Sequence, residues 1–157
     1  MQRKIYLFLV IAVMVSIFVF SAMRGNQSSA MSGRITNWII GIIYPDYSAM
    51  PAEQRIGAFR LMEHIVRKGA HFTEYAVLGA LVALLINTFS FRNQYLIALL
   101  LSVCYAISDE WHQSFVAGRS PMLQDVMIDT AGAALGIVII IMLLLIRRKQ
   151  FVRSSDS

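Results

Sequence analysis

Charged residues and cysteine are scarce in this chain of 157 residues. Only 15% of the residues are charged, whereas 57% are hydrophobic and the mean hydropathy is +0.62. Soluble domains average about 25% charged and about 45–50% apolar residues. The single cysteine, Cys104, excludes an intrachain disulfide and a metal site built from several thiolates. This composition excludes an ordinary soluble domain and indicates an integral membrane protein.

The formal net charge of +5 does not indicate nucleic-acid binding. No basic helix with interleaved aromatic residues is present to follow a phosphate backbone. Instead, seven of the fourteen Lys and Arg residues flank apolar segments, where positive charge orients a membrane protein: Arg3, Lys4, Arg92, Arg147, Arg148, Lys149 and Arg153. We therefore predict a lipid bilayer as the main partner and no nucleic-acid partner.

Four apolar segments predict four transmembrane helices, at about residues 5–23, 69–91, 94–110 and 124–146. The first segment has nineteen residues without a charge, which is about the length that crosses a hydrocarbon core of ~30 Å. The predicted fold is all-α, with the four helices in a compact bundle that forms a single domain over residues 1–157.

The charges of the short loops predict that both termini are cytoplasmic, because the seven flanking cations then lie on one side of the membrane. The loop at residues 24–68 is then on the outside. Eight of the nine acidic residues and all three histidines also fall at the outer face, and only Asp156 lies in the cytoplasmic tail. Any chemistry or recognition is therefore expected outside the cell.

The outer loop, residues 24–68, has three predicted parts. Glycine and serine at residues 25–33 are typical of a flexible linker, and residues 35–44 suit a surface-lying or re-entrant piece. Pro51 suits the first position of a short helix that runs to Lys68. Apolar residues recur there at helical spacing and predict an interfacial amphipathic helix: Ile56, Phe59, Met62 and Val66.

Ionisable side chains are costly inside a membrane, so several at one depth predict a shared polar centre. Lys68, His71 and Tyr75 share a helix face, with Glu74 beside them, because neighbours on a helix lie three and four residues apart. The predicted centre consists of residues from three apolar segments and one loop: Lys68, His71, Glu74, Tyr75, Asp109, Glu110, His112, Gln113, Arg119, Asp125 and Asp129.

The last apolar segment carries Asp125, Asp129, Gly132 and Gly136 on a single helix face. Gly132 and Gly136 form a GxxxG pattern, which permits close approach of another helix in the bundle or in a homo-oligomer. Asp129 is therefore expected to point into the bundle. We expect Glu110 and Asp129 to form an ionised pair that Gln113 and Asp125 orient, with a bridging cation from Lys68, His71 or Arg119.

Three interpretations of this centre stay open: a structural network, a binding site for a polar envelope component, and a catalytic or metal centre. Divalent metals do bind residues of the types found at His71, Glu74, Glu110 and His112. However, His-x-x-Glu and Glu-x-His are short patterns, and neither HExxH nor a nucleophile with an obvious base is present. The sequence thus assigns no metal ligand and no catalytic residue, and whether the protein is an enzyme stays open.

Three stretches of this chain resemble the VanZ-like family of bacterial membrane proteins. They are residues 67–75 with Leu78 and Gly79, residues 109–113 with Gly118, Arg119 and Ser120, and residues 125–129 with Gly132 and Gly136. Together they cover about residues 67–146, and the rest of the chain matches in layout.

The resemblance implies four transmembrane helices in a bacterial cell membrane and a role in the envelope, without a settled biochemical activity. The family is named for a protein that gives low-level resistance to teicoplanin, a lipoglycopeptide that binds cell-wall precursors. A precursor or a lipoglycopeptide is therefore the expected partner. The alternative is a membrane-embedded, metal-dependent hydrolase or transferase that acts on lipid-linked envelope precursors.

Overall fold

The regular structure of this protein is helical, as described by a computed structural model for residues 1–23, 25–119 and 121–155. The helices are α1 (Gln2–Ser21), α2 (Gly25–Ile43), α3 (Ala52–Asn87), α4 (Gln94–Gln113) and α5 (Leu123–Ser155), with a 3-10 turn at Tyr47–Ala49. Predictions that involve Arg24, Ser120 and Asp156 fall outside the described residues. The all-α class is confirmed.

Three helices in the described ranges are long and apolar enough to cross a membrane: α1, α3 and the Leu123–Phe151 part of α5. Their mean hydropathies are 2.4, 1.6 and 2.5 respectively. The fourth predicted span corresponds to α4, whose mean hydropathy is too low for it to be included with these three helices. Polar residues at both of its ends, Gln94 at the start and Asp109 and Glu110 near the end, lower its mean hydropathy. A fourth crossing therefore stays a prediction.

Helix α3 is the centre of the bundle and contacts α1, α2, α4 and α5, with α5 as its most extensive partner. Glycines explain how closely α3 and α5 approach. A Cβ added at Gly132 would overlap the carbonyl oxygen of Phe72, and one at Gly136 would overlap that of Ala76. A Cβ added at Gly79 would lie 2.7 Å from the Cα of Ala133. Only glycine allows these backbones to touch.

Helix α3 is continuous over 36 residues, so the predicted interfacial helix and second span are one element. The separation predicted near Lys68 is wrong because nothing interrupts the helix there. No proline occurs between residues 52 and 87, and Gly57 and Gly69 each cost only about 1 kcal/mol relative to alanine. Pro51 is the N-cap residue, with φ −53° and ψ 145°, and not the first helical residue.

Helix α2 replaces the predicted flexible linker and the predicted surface-lying or re-entrant piece. Its buried face consists of Ser32, Thr36 and Ile40, which are four residues apart and pack in the direction of α3. A Cβ at Gly33 would lie 3.6 Å from the ring of Phe59, so this small residue also helps the two helices approach. Packing against α3 outweighs the low helix propensity of glycine and serine.

The two ends of the bundle are defined by two arginines. At one end Arg3 donates to the Thr88 carbonyl at 3.0 Å, so the start of α1 lies beside the end of α3. At the other end Arg119 donates to the carbonyl oxygens of Phe20 and Met23, each at 3.3 Å. The end of α1 therefore lies beside the loop between α4 and α5.

Candidate functional site

Polar side chains are buried where α3, α4 and α5 meet. Tyr75 of α3, three residues of α4 (Asp109, Glu110 and Gln113) and Asp129 of α5 are each no more than 5% exposed. Burial of polar groups is unfavourable unless they find hydrogen-bond partners. The partners of each side chain therefore decide what this cluster can do.

Asp109 is held through one carboxylate oxygen only. Its Oδ2 accepts hydrogen bonds from Ser21 Oγ at 2.9 Å and from Gln113 Nε2 at 3.0 Å. Its Oδ1 is buried and has no hydrogen-bond partner among the described residues. These two donors fix the orientation of the carboxylate and leave Oδ1 available.

Glu110 is tied to the beginning of α5. Its Oε2 accepts a hydrogen bond from the backbone N–H of Met122 at 2.9 Å, immediately before the first residue of α5. Helix N-termini have unpaired N–H groups and favour negative charge. This contact gives Glu110 a structural role, although its Oε1 is buried and has no hydrogen-bond partner in the described ranges.

Asp129 is fully buried, and neither of its carboxylate oxygens has a hydrogen-bond partner in the part of the chain that is described. The nearest cationic candidate is His71, whose Nδ1 lies 3.9 Å from Asp129 Oδ1. This distance is beyond that of a hydrogen bond. Asp129 thus faces into the bundle, on the side of α5 that carries Gly132 and Gly136 against α3.

Lys68 and Arg119 lie at the edge of the cluster and have partners of their own. Lys68 Nζ forms an ion pair with Asp125 Oδ1. Arg119 Nη1 donates to Gln113 Oε1 at 3.2 Å, in addition to its contacts with the end of α1. The structure pairs Lys68 with Asp125. A bridge from Lys68, His71 or Arg119 between Glu110 and Asp129 stays a prediction.

Two of the predicted residues, His112 and Glu74, form no hydrogen bond or ion pair with the buried acids in the described ranges. The ring of His112 stacks on that of Phe18, with 4.3 Å between centroids. Glu74 is half-buried and lines a cavity beside the cluster. The remaining predicted residues meet at the junction of the three helices or at its edge.

Two cavities adjoin the cluster and share Arg67, His71 and Arg119 in their walls. The smaller, of about 120 Å³, is otherwise lined mainly by apolar side chains such as those of Met31 and Ile35. The larger, of about 260 Å³, also includes Lys68, and its walls are mainly polar and basic. An apolar space and a basic space therefore meet at the same three side chains.

One group of side chains has the geometry of a metal-ligand set. His71, Asp109 and Asp129 each offer one ligand atom, and these atoms lie within 4.8 Å of one another. Of the four residues that the sequence offered as possible metal ligands, only His71 belongs to this group. Tertiary structure decides this set, since its members come from α3, α4 and α5.

Three further residues take part in these contacts although no sequence pattern assigns them a role: Ser21, Met122 and Arg67. Ser21 is a buried polar residue at the end of an apolar span, a signal that could have identified it. Met122 acts through its backbone, which no side-chain pattern reveals. Arg67 donates to Ser29 Oγ at 2.9 Å and to Glu63 Oε1 at 3.0 Å, which links α3 to α2.

Comparison with known proteins identifies a family for nearly the whole chain. The family described as VanZ/LLP1 matches residues 6–146, which include every member of the buried cluster. No curated protein and no solved structure matches the chain. The resemblance in the three motif stretches is thereby confirmed, and the chain belongs to the VanZ/LLP1 family of membrane proteins.

Proposed function

We propose that this VanZ/LLP1-family protein crosses the bacterial cell membrane four times as a single domain over residues 1–157, with both termini in the cytoplasm. Helix α4 is the fourth span. The contact of Arg3 with Thr88 supports this arrangement because it brings the start of α1 and the end of α3 to one side. The end of α1 and the loop between α4 and α5 then share the outer side.

In this orientation the polar cluster lies near the outer surface of the membrane. His71 precedes Asn87, the last residue of α3, by sixteen residues, which is about 24 Å along a helix. If Asn87 is at the inner edge of a hydrocarbon core of ~30 Å, His71 is close to the outer edge. A ligand from the outer leaflet can reach this depth.

The ligand we propose is an amphiphile with an anionic head group. The observation that supports it is the meeting of an apolar and a basic cavity at Arg67, His71 and Arg119. A guanidinium group donates to phosphate through two parallel hydrogen bonds. The basic cavity suits a phosphate, and the apolar cavity suits the first part of a hydrocarbon chain.

Among envelope components, a lipid-linked cell-wall precursor fits these cavities better than a lipoglycopeptide does. The cavity volumes, about 120 and 260 Å³, fall below the ~300–1,000 Å³ of pockets that enclose drug-sized ligands. A lipoglycopeptide is larger still, whereas a precursor presents a phosphate joined to a polyprenyl chain. The protein would bind the precursor and thereby change its availability to teicoplanin-type glycopeptides.

Binding of a polyprenyl phosphate to the full chain in lipid nanodiscs tests this proposal. Arg119→Gln is expected to weaken binding about tenfold or more, because hydrogen bonds to charged groups contribute about 1.5–3 kcal/mol. Arg34→Gln is the matched control, since Arg34 is exposed on α2. The corresponding polyprenyl alcohol, which lacks the phosphate, should bind weakly to wild-type protein and to both variants.

Equal affinity for the phosphate and the alcohol would contradict the proposal. So would an unchanged affinity in Arg119→Gln, provided that circular dichroism and gel filtration show a folded protein. In cells, expression of the wild type should change teicoplanin susceptibility, and expression of Arg119→Gln should not.

A second candidate function is a metal-dependent hydrolase or transferase that acts on such precursors. The observation that favours it is the group of buried ligand atoms from His71, Asp109 and Asp129 next to the cavities. Release of inorganic phosphate or of a free head group from a bound precursor would separate this activity from binding alone.

A further inference from the structure

We propose that the buried cluster binds one divalent transition-metal ion, with Zn²⁺ as the best match, through His71, Asp109 and Asp129. One ring nitrogen and one oxygen of each carboxylate lie within 4.8 Å of one another. In a tetrahedral site with bonds of about 2.0–2.2 Å, ligand atoms lie about 3.3–3.6 Å apart. A bound ion would therefore draw the three ligand atoms together by up to about 1.5 Å.

Unpartnered ligand atoms are the independent support for this site. Asp129 is 0% exposed and Asp109 is 3% exposed. Three of their four carboxylate oxygens, together with Nδ1 of His71, are buried without a hydrogen-bond partner among the described residues. Buried polar atoms are rarely left unpaired in native proteins, and a bound ion is one of the recognised reasons.

The charges of the cluster also favour a divalent ion. Two ionised carboxylates buried among helices require compensation by nearby positive charge. Lys68 pairs with Asp125, and Arg119 donates to Gln113 and to backbone carbonyls. An ion of charge +2 would neutralise Asp109 and Asp129, whose other neighbour in the group is the imidazole of His71.

The ligand types select the class of metal. Mg²⁺ and Ca²⁺ prefer coordination by oxygen alone, whereas an imidazole with two carboxylates suits Zn²⁺ and related transition metals. Three protein ligands leave at least one coordination position open. His71 also lines both cavities, so a ligand in either cavity would be close to the ion. The proximity of ion and ligand rests on the proposed function, whereas the ion site itself is independent of it.

Ser21 and Gln113 would act as positioning residues for this site. Both donate to Oδ2 of Asp109 and so direct Oδ1 away from themselves. Loss of such a partner typically lowers metal affinity by about 10–100-fold. Ser21→Ala should therefore weaken Zn²⁺ binding by at least about tenfold, although Ser21 does not touch the ion.

The test is the metal content of the full chain, purified in detergent with an affinity tag that contains no histidine. After incubation with Zn²⁺ and gel filtration, mass spectrometry should find about one ion per wild-type chain. His71→Ala and Asp129→Asn should each lose the ion. His64→Ala and Asp46→Asn are the matched controls and should retain it, since both residues are exposed and outside the ligand group.

Wild-type protein without bound Zn²⁺, or equal Zn²⁺ in wild type and His71→Ala, would overturn the proposal. If the ligand variants do not fold, two measurements on folded proteins decide instead. Zn²⁺ should raise the melting temperature of the wild type, and Co²⁺ should give the visible absorption of a low-coordinate site. Absence of both signals would also overturn it.

Failure of this proposal and failure of the proposed function are distinguishable. Metal content is measured without any polyprenyl lipid, so a negative result in the lipid-binding experiment does not affect it. Arg67→Gln should retain the ion while weakening lipid binding, because Arg67 lines both cavities and its hydrogen-bond partners, Ser29 and Glu63, are outside the ligand group.

Discussion

Gly136→Leu is expected to prevent formation of a stable bundle. The carbonyl oxygen of Ala76 occupies the space that even a Cβ at residue 136 would need, so α3 and α5 would have to separate. Overpacking by one or two methylene groups typically costs about 1–3 kcal/mol, and a leucine adds four carbon atoms against a backbone that cannot rotate away. We expect aggregated or absent protein after extraction in detergent, as measured by gel filtration.

Gly69→Ala is the matched control for this prediction. Gly69 lies on α3, and an added Cβ there would meet nothing within 4 Å. Alanine in a helix is more stable than glycine by about 0.5–1 kcal/mol, so this variant should melt at the same temperature or slightly higher. Similar stability of Gly136→Leu and Gly69→Ala would show that α3 and α5 do not meet through Gly136.

Lys68→Met is expected to destabilise the protein by about 3 kcal/mol, because it leaves Asp125 without its ion-pair partner in a largely buried position. The side chains of Lys68 and Asp125 are only 15% and 17% exposed. Asp125→Leu alone should have a similar cost. The free energy of unfolding of the double variant should be close to that of the wild type. A hydrophobic pair of similar volume often replaces a buried ion pair without loss of stability.

Unfolding of the four proteins in mixed detergent measures this double-mutant cycle. The pair formed by Arg67 and Glu63 is the comparison: the two residues are one helical turn apart, and their side chains are 35% and 17% exposed. Such pairs contribute about 0.2–1 kcal/mol, so that cycle should show little coupling. Additive effects at Lys68 and Asp125 would mean that their contact does not stabilise the fold.

The fold class and the family could be predicted from sequence because both depend on local patterns. Long apolar runs specify helices that suit a membrane, and the motifs around His71, Glu110 and Asp129 resemble the family whose model matches residues 6–146. Helix α2 could not be predicted, because its glycines and serines have a low intrinsic preference for helix. Thr36 and Ile40 are buried on one face of α2. That face can be recognised only in the structure, where α3 packs beside it.

The composition of the polar cluster could be predicted better than its pairings. Helical spacing aligns Lys68 with His71, but it does not determine which acid on another helix each one meets. Asp109 and Ser21 are 88 positions apart in the chain, and their hydrogen bond depends on how α1 and α4 are packed. Contacts made by backbone groups, such as the N–H of Met122, cannot be predicted from the pattern of side chains.

The two tryptophans of this chain could report on the depth of the cluster by fluorescence. Trp111 lies between Glu110 and His112 on α4, yet it is 69% exposed whereas Glu110 is buried. Trp38 on α2 is equally exposed. Indole emission responds to the polarity of its surroundings, and brominated lipids quench it according to depth. In a Trp38→Phe background, Trp111 would therefore locate the buried acids to within about one helical turn of 5.4 Å, without any added label.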